Sequence, residues 1–169
     1  MIGNKFIIKP LTADTLNNAI MLRDKVFSDL KNYEKETLQA SLDKYTYQEC
    51  WKKNELTSMQ YFIMLDTTKD EIIGLTGIYS EEGDSDDMCW LGWFCIDKEY
   101  RRQGLSKKLL DFSIERAKQL NKKYLHLYTY DSREYIPAMK LYEKYHFIIY
   151  DRDKKDIYYK LNFKQRIST

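Results

Sequence analysis

Residues 89–106 read CWLGWFCIDKEYRRQGLS and join an apolar run to a basic turn that contains glycine. The run from Cys89 to Ile96 has the composition of a buried strand. Apolar residues at helical spacing follow the turn and predict a helix that begins at Ser106. The first N–H groups of a helix have no partner inside it, and the helix dipole favours an anion there. This order of strand, cationic turn and helix start predicts a site for a phosphate-bearing cofactor.

The turn itself carries groups that suit a pyrophosphate. Gly104 permits a close approach of the backbone to a ligand, because it has no side chain. Arg101 and Arg102 can neutralise phosphate charge. The alternative is that both arginines are ordinary solvated surface charges.

Composition narrows the classes of protein to which the chain can belong. Its 169 residues predict a single domain over 1–169. The net charge of only +2 predicts neither a nucleic-acid partner nor a membrane partner. Three cysteines without metal-ligand spacing predict no metal site. Together with an N-terminus unlike a signal peptide, they predict a cytoplasmic protein.

The rest of the sequence alternates between patterns typical of strands and of helices. The predicted strands cover residues 5–9, 61–65, 72–79, 89–96, 124–130, 147–150 and 157–161. The predicted helices cover residues 12–30, one stretch within 34–55, 106–121 and 137–145. An α/β (α+β) fold follows, with helices covering a mixed sheet.

Two motifs in this order of elements resemble the GCN5-related N-acetyltransferase (GNAT) superfamily. Residues 101–106, RRQGLS, resemble its pyrophosphate-loop signature Gln/Arg-x-x-Gly-x-Gly/Ala. Residues 141–147, LYEKYHF, resemble its Leu-Tyr-x-x-x-Gly-Phe run. The resemblance implies a mostly antiparallel sheet of about seven strands, flanked by about four helices and splayed between the fourth and fifth strands.

The chain departs from the family pattern at four positions. Ser106 replaces the second Gly or Ala of the loop, and His146 replaces the glycine before Phe147. Tyr135 stands where many members have Asn, and Lys98 stands where Pro is frequent. The change at Tyr135 affects one side-chain contact with the cofactor.

By resemblance, the cofactor is acetyl-CoA. The backbone of the last strand residues would pair with the pantetheine arm, and the loop N–H groups would hold the pyrophosphate, with help from basic side chains. The implied cofactor-binding residues are Phe94, Cys95, Ile96, Arg101, Arg102, Gln103, Gly104, Leu105, Ser106, Lys107 and Tyr135.

The resemblance implies transfer of an acetyl group to a primary amine by direct attack on the thioester. Tyr142 matches the family tyrosine that protonates the leaving thiolate, since a phenol stays protonated at neutral pH. The alternative role for Tyr142 is packing in the core. A general base is left open, with Glu81, Asp86, Asp87 and Asp131 as candidates.

The acceptor is expected to be a small-molecule or peptide amine. Residues 81–87, EEGDSDD, favour a cationic acceptor, although a solvated hairpin would have the same composition. A homodimer is compatible with the resemblance.

Two other functions are open to test. A non-catalytic acyl-CoA-binding or sensing domain is the alternative reading, because residues 90–96 contain no carboxylate. RNA binding is disfavoured, because the aromatic strand lacks the full RNA-binding motif and the net charge is small.

Overall fold

A computed structural model describes residues 5–27 and 34–165 of the chain. Seven strands form one sheet in the order β1-β2-β3-β4-β5-β7-β6. The strands are β1 Phe6–Pro10, β2 Leu56–Asp66, β3 Glu71–Glu81, β4 Met88–Ile96, β5 Tyr124–Tyr130, β6 Ile148–Asp153 and β7 Asp156–Asn162. All neighbouring strands are antiparallel except β4 and β5, which are parallel. The predicted mixed and mostly antiparallel sheet is therefore confirmed.

The described residues contain five α-helices, one more than expected. They are α1 Ala13–Val26, α2 Thr37–Leu42, α3 Gln48–Lys53, α4 Leu105–Gln119 and α5 Ile136–Lys144. The single helical stretch predicted within residues 34–55 is divided into α2 and α3. Asp43 causes this break, because its carboxylate accepts hydrogen bonds from the backbone N–H and the hydroxyl of Thr46 and so closes a turn.

Other boundaries also differ from the sequence prediction. α1 ends at Val26, where Phe27 takes an extended conformation, and the predicted end near Leu30 lies outside the described residues. β2 begins at Leu56, five residues before the predicted start, and α4 begins at Leu105.

The helices cover opposite faces of the sheet. Ile114 of α4 packs with Ile78 of β3 in one core cluster. Leu22 of α1 packs with Tyr61 and Leu75 in another. Because successive side chains of a strand point to opposite faces, Leu75 and Ile78 point into different cores, one on each face of the sheet.

The sheet opens between β4 and β5. These strands pair over only three residues each, Met88–Trp90 with Tyr124–His126. Beyond Trp90 they diverge and leave one edge of β4 without a strand partner among the described residues. The splay expected between the fourth and fifth strands is therefore present.

An extra residue in β4 accompanies this opening. Gly77 pairs with Gly92 and Leu75 pairs with Cys95, so that one β3 residue lies opposite two β4 residues. Trp93 in this bulge has a φ of +45°, a left-handed conformation that is unusual for a bulky side chain.

Candidate active site

The basic turn is an exposed loop that is anchored in the core on both sides. Tyr100 precedes it and donates a hydrogen bond from its hydroxyl to Glu71 at 2.8 Å. Leu105 follows it, and both side chains are buried in one core cluster with Leu109. Arg101 to Gly104, between the two anchors, are exposed. The loop is thus fixed at its ends and open to solvent at its centre.

The backbone of this loop alternates between left-handed and ordinary conformations. Arg102 has a φ of +62° and Gly104 a φ of +75°, and Gly104 is the N-cap of α4. Such alternation turns successive N–H groups toward one concavity that favours anions. No atom lies within 4 Å of the point that a Cβ on Gly104 would occupy. The open space and the free helix start fit the pyrophosphate of a CoA-type cofactor.

The basic side chains around the loop have different roles in the structure. Arg101 donates a hydrogen bond from Nε to the carbonyl of Ile96 at 3.2 Å, so it fixes the loop to the end of β4. Arg102 and Lys107 are exposed and Ser106 is half-buried. The structure therefore brings together the predicted phosphate contacts from Arg101 to Lys107 at one helix start.

The predicted pantetheine contacts lie on the open edge of β4. Phe94 lines the adjoining cavity, whereas Cys95 and Ile96 point into the core. Burial raises the pKa of the Cys95 thiol to about 12, so this thiol is not a nucleophile at neutral pH. Only the backbone of Cys95 and Ile96 is available to a ligand in the gap.

A cavity of about 780 Å³ adjoins the gap between β4 and β5. Its walls are formed by α5, by β4 around the bulge and by the chain segments at the ends of β2, β3 and β5. Its aromatic lining consists of Phe27, Tyr61, Tyr79, Trp93, Phe94, Tyr128, Tyr130, Tyr135 and Tyr142. The volume is that of a site for a small organic molecule.

The bulge at Trp93 is held from the α1 side of the sheet. The Trp93 indole N–H donates a hydrogen bond to the Thr37 hydroxyl at 2.6 Å. Its ring packs against Phe27, with centroids 5.2 Å apart, and the Arg23 guanidinium lies 5.5 Å from the ring centroid. These contacts compensate for the left-handed backbone and keep the gap open.

One face of α5 borders the cavity. Tyr135, Ala138 and Tyr142 are three and four residues apart, so they lie on the same side of the helix, and all three line the cavity. The Tyr135 ring packs edge-on against Tyr130, with centroids 5.5 Å apart. The predicted cofactor residue Tyr135 and the predicted catalytic residue Tyr142 thus border the same space.

Tyr142 combines burial with an unused donor. Only 6% of its surface is exposed, and its ring packs against Phe94, Phe147 and Tyr159. Within residues 5–27 and 34–165, its hydroxyl forms no hydrogen bond. Burial raises the pKa of Tyr142 above its ordinary value of 10, with smaller contributions from Tyr159 and Cys95. The phenol therefore stays protonated and available as a donor.

The cavity lining carries more negative than positive charge. Its carboxylates are Glu34, Glu55, Glu81, Asp131 and Glu134, and its cations are Lys53 and Lys155. This excess favours a cationic ligand over an anionic one in the cavity, whose lining does not include the basic loop.

The structure divides the four candidate bases. Glu81 and Asp131 line the cavity, whereas Asp86 and Asp87 are not part of its lining. The Asp87 carboxylate accepts a hydrogen bond from Ser85 and forms an ion pair with Lys123 at 3.2 Å. Both interactions lower the pKa of Asp87, which is held as part of the hairpin.

Glu81 is in an unfavourable place for a charge. Partial burial is the main cause that raises the pKa of Glu81, and repulsion from Asp84 and Glu55 raises it further. A carboxyl with a raised folded-state pKa contributes stability below its ordinary pKa, and that stability is lost as the pH rises through the folded pKa. Ionised Glu81 therefore destabilises the fold at neutral pH.

We expect Glu81→Gln to melt slightly higher than the wild type at pH 7.5. The gain should be on the order of 1–2 °C, as for a favourable substitution near the surface. It should disappear as the pH falls toward 4, where Glu81 is protonated in both states. Thermal melts over this pH range test the prediction, with the exposed Glu82→Gln as the matched control. A gain that persists at pH 4, or an equal gain in the control, would contradict it.

Several cavity residues have no motif in the sequence. Tyr61 and Tyr79 lie over a pair of glycines, because a Cβ at Gly77 would fall on the Tyr61 ring and one at Gly92 would lie 3.1 Å from Tyr79. The two glycines face each other across β3 and β4. Glycines inside strand patterns are the one sequence signal of this close approach.

The described residues contain neither a metal-binding cluster nor a membrane-spanning helix. No group of three or more His, Cys, Asp or Glu side chains is arranged to hold a metal ion in residues 5–27 and 34–165. None of the helices described is long and apolar enough to span a membrane.

Comparison with protein families gives one match that spans most of the chain. The model of the "Acetyltransferase (GNAT) family" matches residues 24–147. Comparison with curated proteins by sequence gives no match.

Solved structures of similar fold include several acetyltransferases. A GNAT-family acetyltransferase from Staphylococcus aureus Mu50 has a TM-score of 0.71 at 19% identity, covering 93% of this chain and 98% of that one. The PaiA N-acetyltransferase from Thermoplasma acidophilum, solved with coenzyme A, has a TM-score of 0.67 at 15% identity, covering 95% and 100%. A GNAT-family acetyltransferase from Elizabethkingia anophelis, solved with acetyl-CoA, has a TM-score of 0.60 at 20% identity, covering 95% and 99%. At these identities the likeness establishes a shared fold.

Proposed function

Since the chain belongs to the GNAT family of acetyltransferases, we propose that it transfers an acetyl group from acetyl-CoA to a primary amine. The observation that carries the proposal is the buried and protonated hydroxyl of Tyr142, which has no partner within the described residues and lies in a cavity beside the open edge of β4. Two structural neighbours were solved with coenzyme A or acetyl-CoA bound, which supports the choice of cofactor.

The residues of this chain divide the binding of the cofactor between two places. The N–H groups from Gln103 to Ser106 and the Arg102 side chain would hold the pyrophosphate. The open backbone edge from Phe94 to Ile96 would pair with the pantetheine arm, and Tyr135 would border it. When bound, acetyl-CoA supplies an activated acetyl thioester.

For this reaction the protein must orient the two substrates and donate one proton to the leaving group. A neutral amine attacks the carbonyl carbon, so an N–C bond forms and the C–S bond breaks. Backbone N–H groups of the β4 edge can polarise the carbonyl oxygen. Tyr142 donates its proton to the departing sulfur, and the proton that the amine loses returns to Tyr142 through water, so the products are the acetylated amine and the free CoA thiol.

The amine must reach the cavity without its extra proton. For an acceptor pKa of about 10.4, the neutral form costs about 4–5 kcal/mol at pH 7. Asp131 and Glu81 line the cavity and are the two candidate bases, each of which would act through water and not by direct contact with the amine. Asp131 is exposed, and its carboxylate lies 3.8 Å from the Arg152 guanidinium.

We expect Arg101→Ala/Arg102→Ala to weaken acetyl-CoA binding by about 10- to 100-fold. Loss of Arg102 would remove a charge-assisted hydrogen bond to phosphate, and loss of Arg101 would remove the hydrogen bond that fixes the loop to Ile96. Calorimetric titration with acetyl-CoA measures this, with ATP as the control ligand. Lys118→Ala is the matched control protein, because it removes a positive charge from the opposite end of α4. Equal affinities for all three proteins would contradict the assignment of the loop.

An assay of CoA release with the same protein distinguishes a transferase from a binding domain. Release of the free CoA thiol in the presence of an amine panel, dependent on Tyr142, supports the transferase. Tight acetyl-CoA binding without transfer to any amine would favour the alternative, a non-catalytic acyl-CoA-binding or sensing domain.

A further inference from the structure

Two carboxylates, Glu55 and Glu81, lie together at one end of the cavity. Glu55 immediately precedes β2, and Glu81 ends β3, where it pairs with Leu56. Both line the cavity. Within the described part of the chain, neither carboxylate forms an ion pair. This pair is called the acidic end below.

The neighbours of the acidic end increase its negative charge. Asp84 accepts a hydrogen bond from the backbone N–H of Glu81 at 2.7 Å and another from the indole of Trp90 at 3.2 Å. It therefore holds Glu81 in place and adds a third charge nearby. Lys53 is the cation from α3 that lines the same cavity, and it leaves the group of three carboxylates with a net negative charge.

A second polar group of the cavity, the Tyr142 hydroxyl, lies where the proposed acetyl transfer takes place. Tyr142 is buried and lines the same cavity, and its hydroxyl has no partner among residues 5–27 and 34–165. It packs against Phe94, which follows the β4 bulge. A ligand that satisfies Tyr142 therefore lies near the bulge, at a position independent of the acidic end.

The register of the sheet separates these two features. Gly77 lies opposite Gly92, directly beside the bulge, whereas Glu81 lies four residues further along β3. At about 3.3 Å per residue, the two backbone positions are about 13 Å apart. This separation is too long for the acidic end to touch the amine that reacts beside Tyr142.

The wall between the two features is aromatic. Tyr61 and Tyr79 lie over the paired glycines and line the cavity between the bulge and Glu81. Their rings present apolar faces that suit methylene groups and attract cations. The described residues hold no arrangement of acidic, His or Cys side chains fit for a metal ion, so an organic ammonium suits the acidic end better.

We propose that the acceptor is an amine with a second positive charge, separated from the reacting nitrogen by an apolar spacer, and that Glu55 and Glu81 bind this second charge. The proposal rests on the proposed function for the identity of the reacting end. The acceptor class is thus a linear diamine or polyamine, held by carboxylates at one end and acetylated at the other.

The test compares diamines of three to eight carbons with monoamines of the same chain length. We expect kcat/KM for the best diamine to exceed that of its monoamine by at least about tenfold, the value of one hydrogen bond between charged groups. Glu81→Gln and Glu55→Gln should each reduce this advantage by about tenfold, and Glu55→Gln should leave the monoamine rate within about twofold. The exposed neighbour Glu82→Gln is the matched control and should retain the full advantage.

Equal kcat/KM values for diamine and monoamine would overturn the proposal, and so would equal losses for both substrates in Glu55→Gln. If no transfer occurs, calorimetric titration of the same amines into the protein, with and without CoA, tests directly whether the acidic end binds a diamine. Diamine binding that depends on Glu81 supports the acidic end even then, whereas its absence overturns it. Failure to bind acetyl-CoA would separately overturn the proposed function.

Discussion

Phenylalanine in place of Tyr142 is expected to lower kcat for acetyl transfer by about 100-fold, the usual contribution of a positioned general acid. The substitution removes only the hydroxyl, which lacks a protein partner within the described residues. The ring contacts with Phe94, Phe147 and Tyr159 can remain. The KM for acetyl-CoA should therefore change by less than about threefold, because the lost interaction forms only in the transition state. Steady-state kinetics with a saturating amine measure both constants.

The pKa of Tyr142 fixes the expected pH dependence. Because burial raises this pKa above its ordinary value, the phenol stays protonated up to pH 10. The wild-type kcat should accordingly show no decline between pH 7 and 10 from loss of this proton. Tyr145→Phe is the matched control, since the Tyr145 hydroxyl donates to Asp111 at 2.8 Å and Tyr145 does not line the cavity. An unchanged kcat in Tyr142→Phe would remove Tyr142 from the mechanism.

Alanine at Gly77 should lower the stability of the fold by about 2 kcal/mol, which corresponds to roughly 4–8 °C in Tm. A methyl group at this position would fall on the buried ring of Tyr61, so the ring must move. A glycine-to-alanine change in a strand ordinarily stabilises the folded protein slightly, because it restricts the unfolded chain. Loss of stability is thus a specific sign of this contact. Chemical unfolding of both proteins measures it.

A second variant tests the cause of the instability. Tyr61→Ala alone leaves a cavity and should cost about 3–5 kcal/mol. In Tyr61→Ala/Gly77→Ala the new methyl group has room, so the loss should be smaller than the sum of the single losses. Additive losses, within about 0.5 kcal/mol, would show that the ring and the glycine do not interact.

The parts of the site predictable from the sequence are those encoded locally. The proposed pyrophosphate loop is predictable from the sequence because Arg101, Arg102 and Gly104 are neighbours in the chain and directly precede a helix. The proposed role of Tyr142 is predictable because its motif lies on one short helix. Each needs only a few residues of context.

The acceptor part of the cavity depends on contacts between distant segments. The bulge at Trp93 arises from a shift of one residue between β3 and β4 and is held by Phe27 and Thr37. Local propensity cannot reveal such a shift, because it is set by pairing and packing. In the same way, Glu55 and Glu81 are 26 positions apart in sequence and meet only because Leu56 pairs with Glu81.

The short pairing of β4 with β5, three residues on each strand, also divides the proposed site into two parts that come from different stretches of the chain. The acidic end and the aromatic wall are built by segments that precede the opening of the sheet, whereas Tyr142 belongs to a helix that follows it. The proposed acceptor part and the proposed general acid are therefore encoded by different stretches of the chain, but they share one core, in which Ile78 of β3 packs with Ile114 of α4 and Tyr142 of α5. Substitutions that change the acceptor preference are expected at cavity positions outside this shared core.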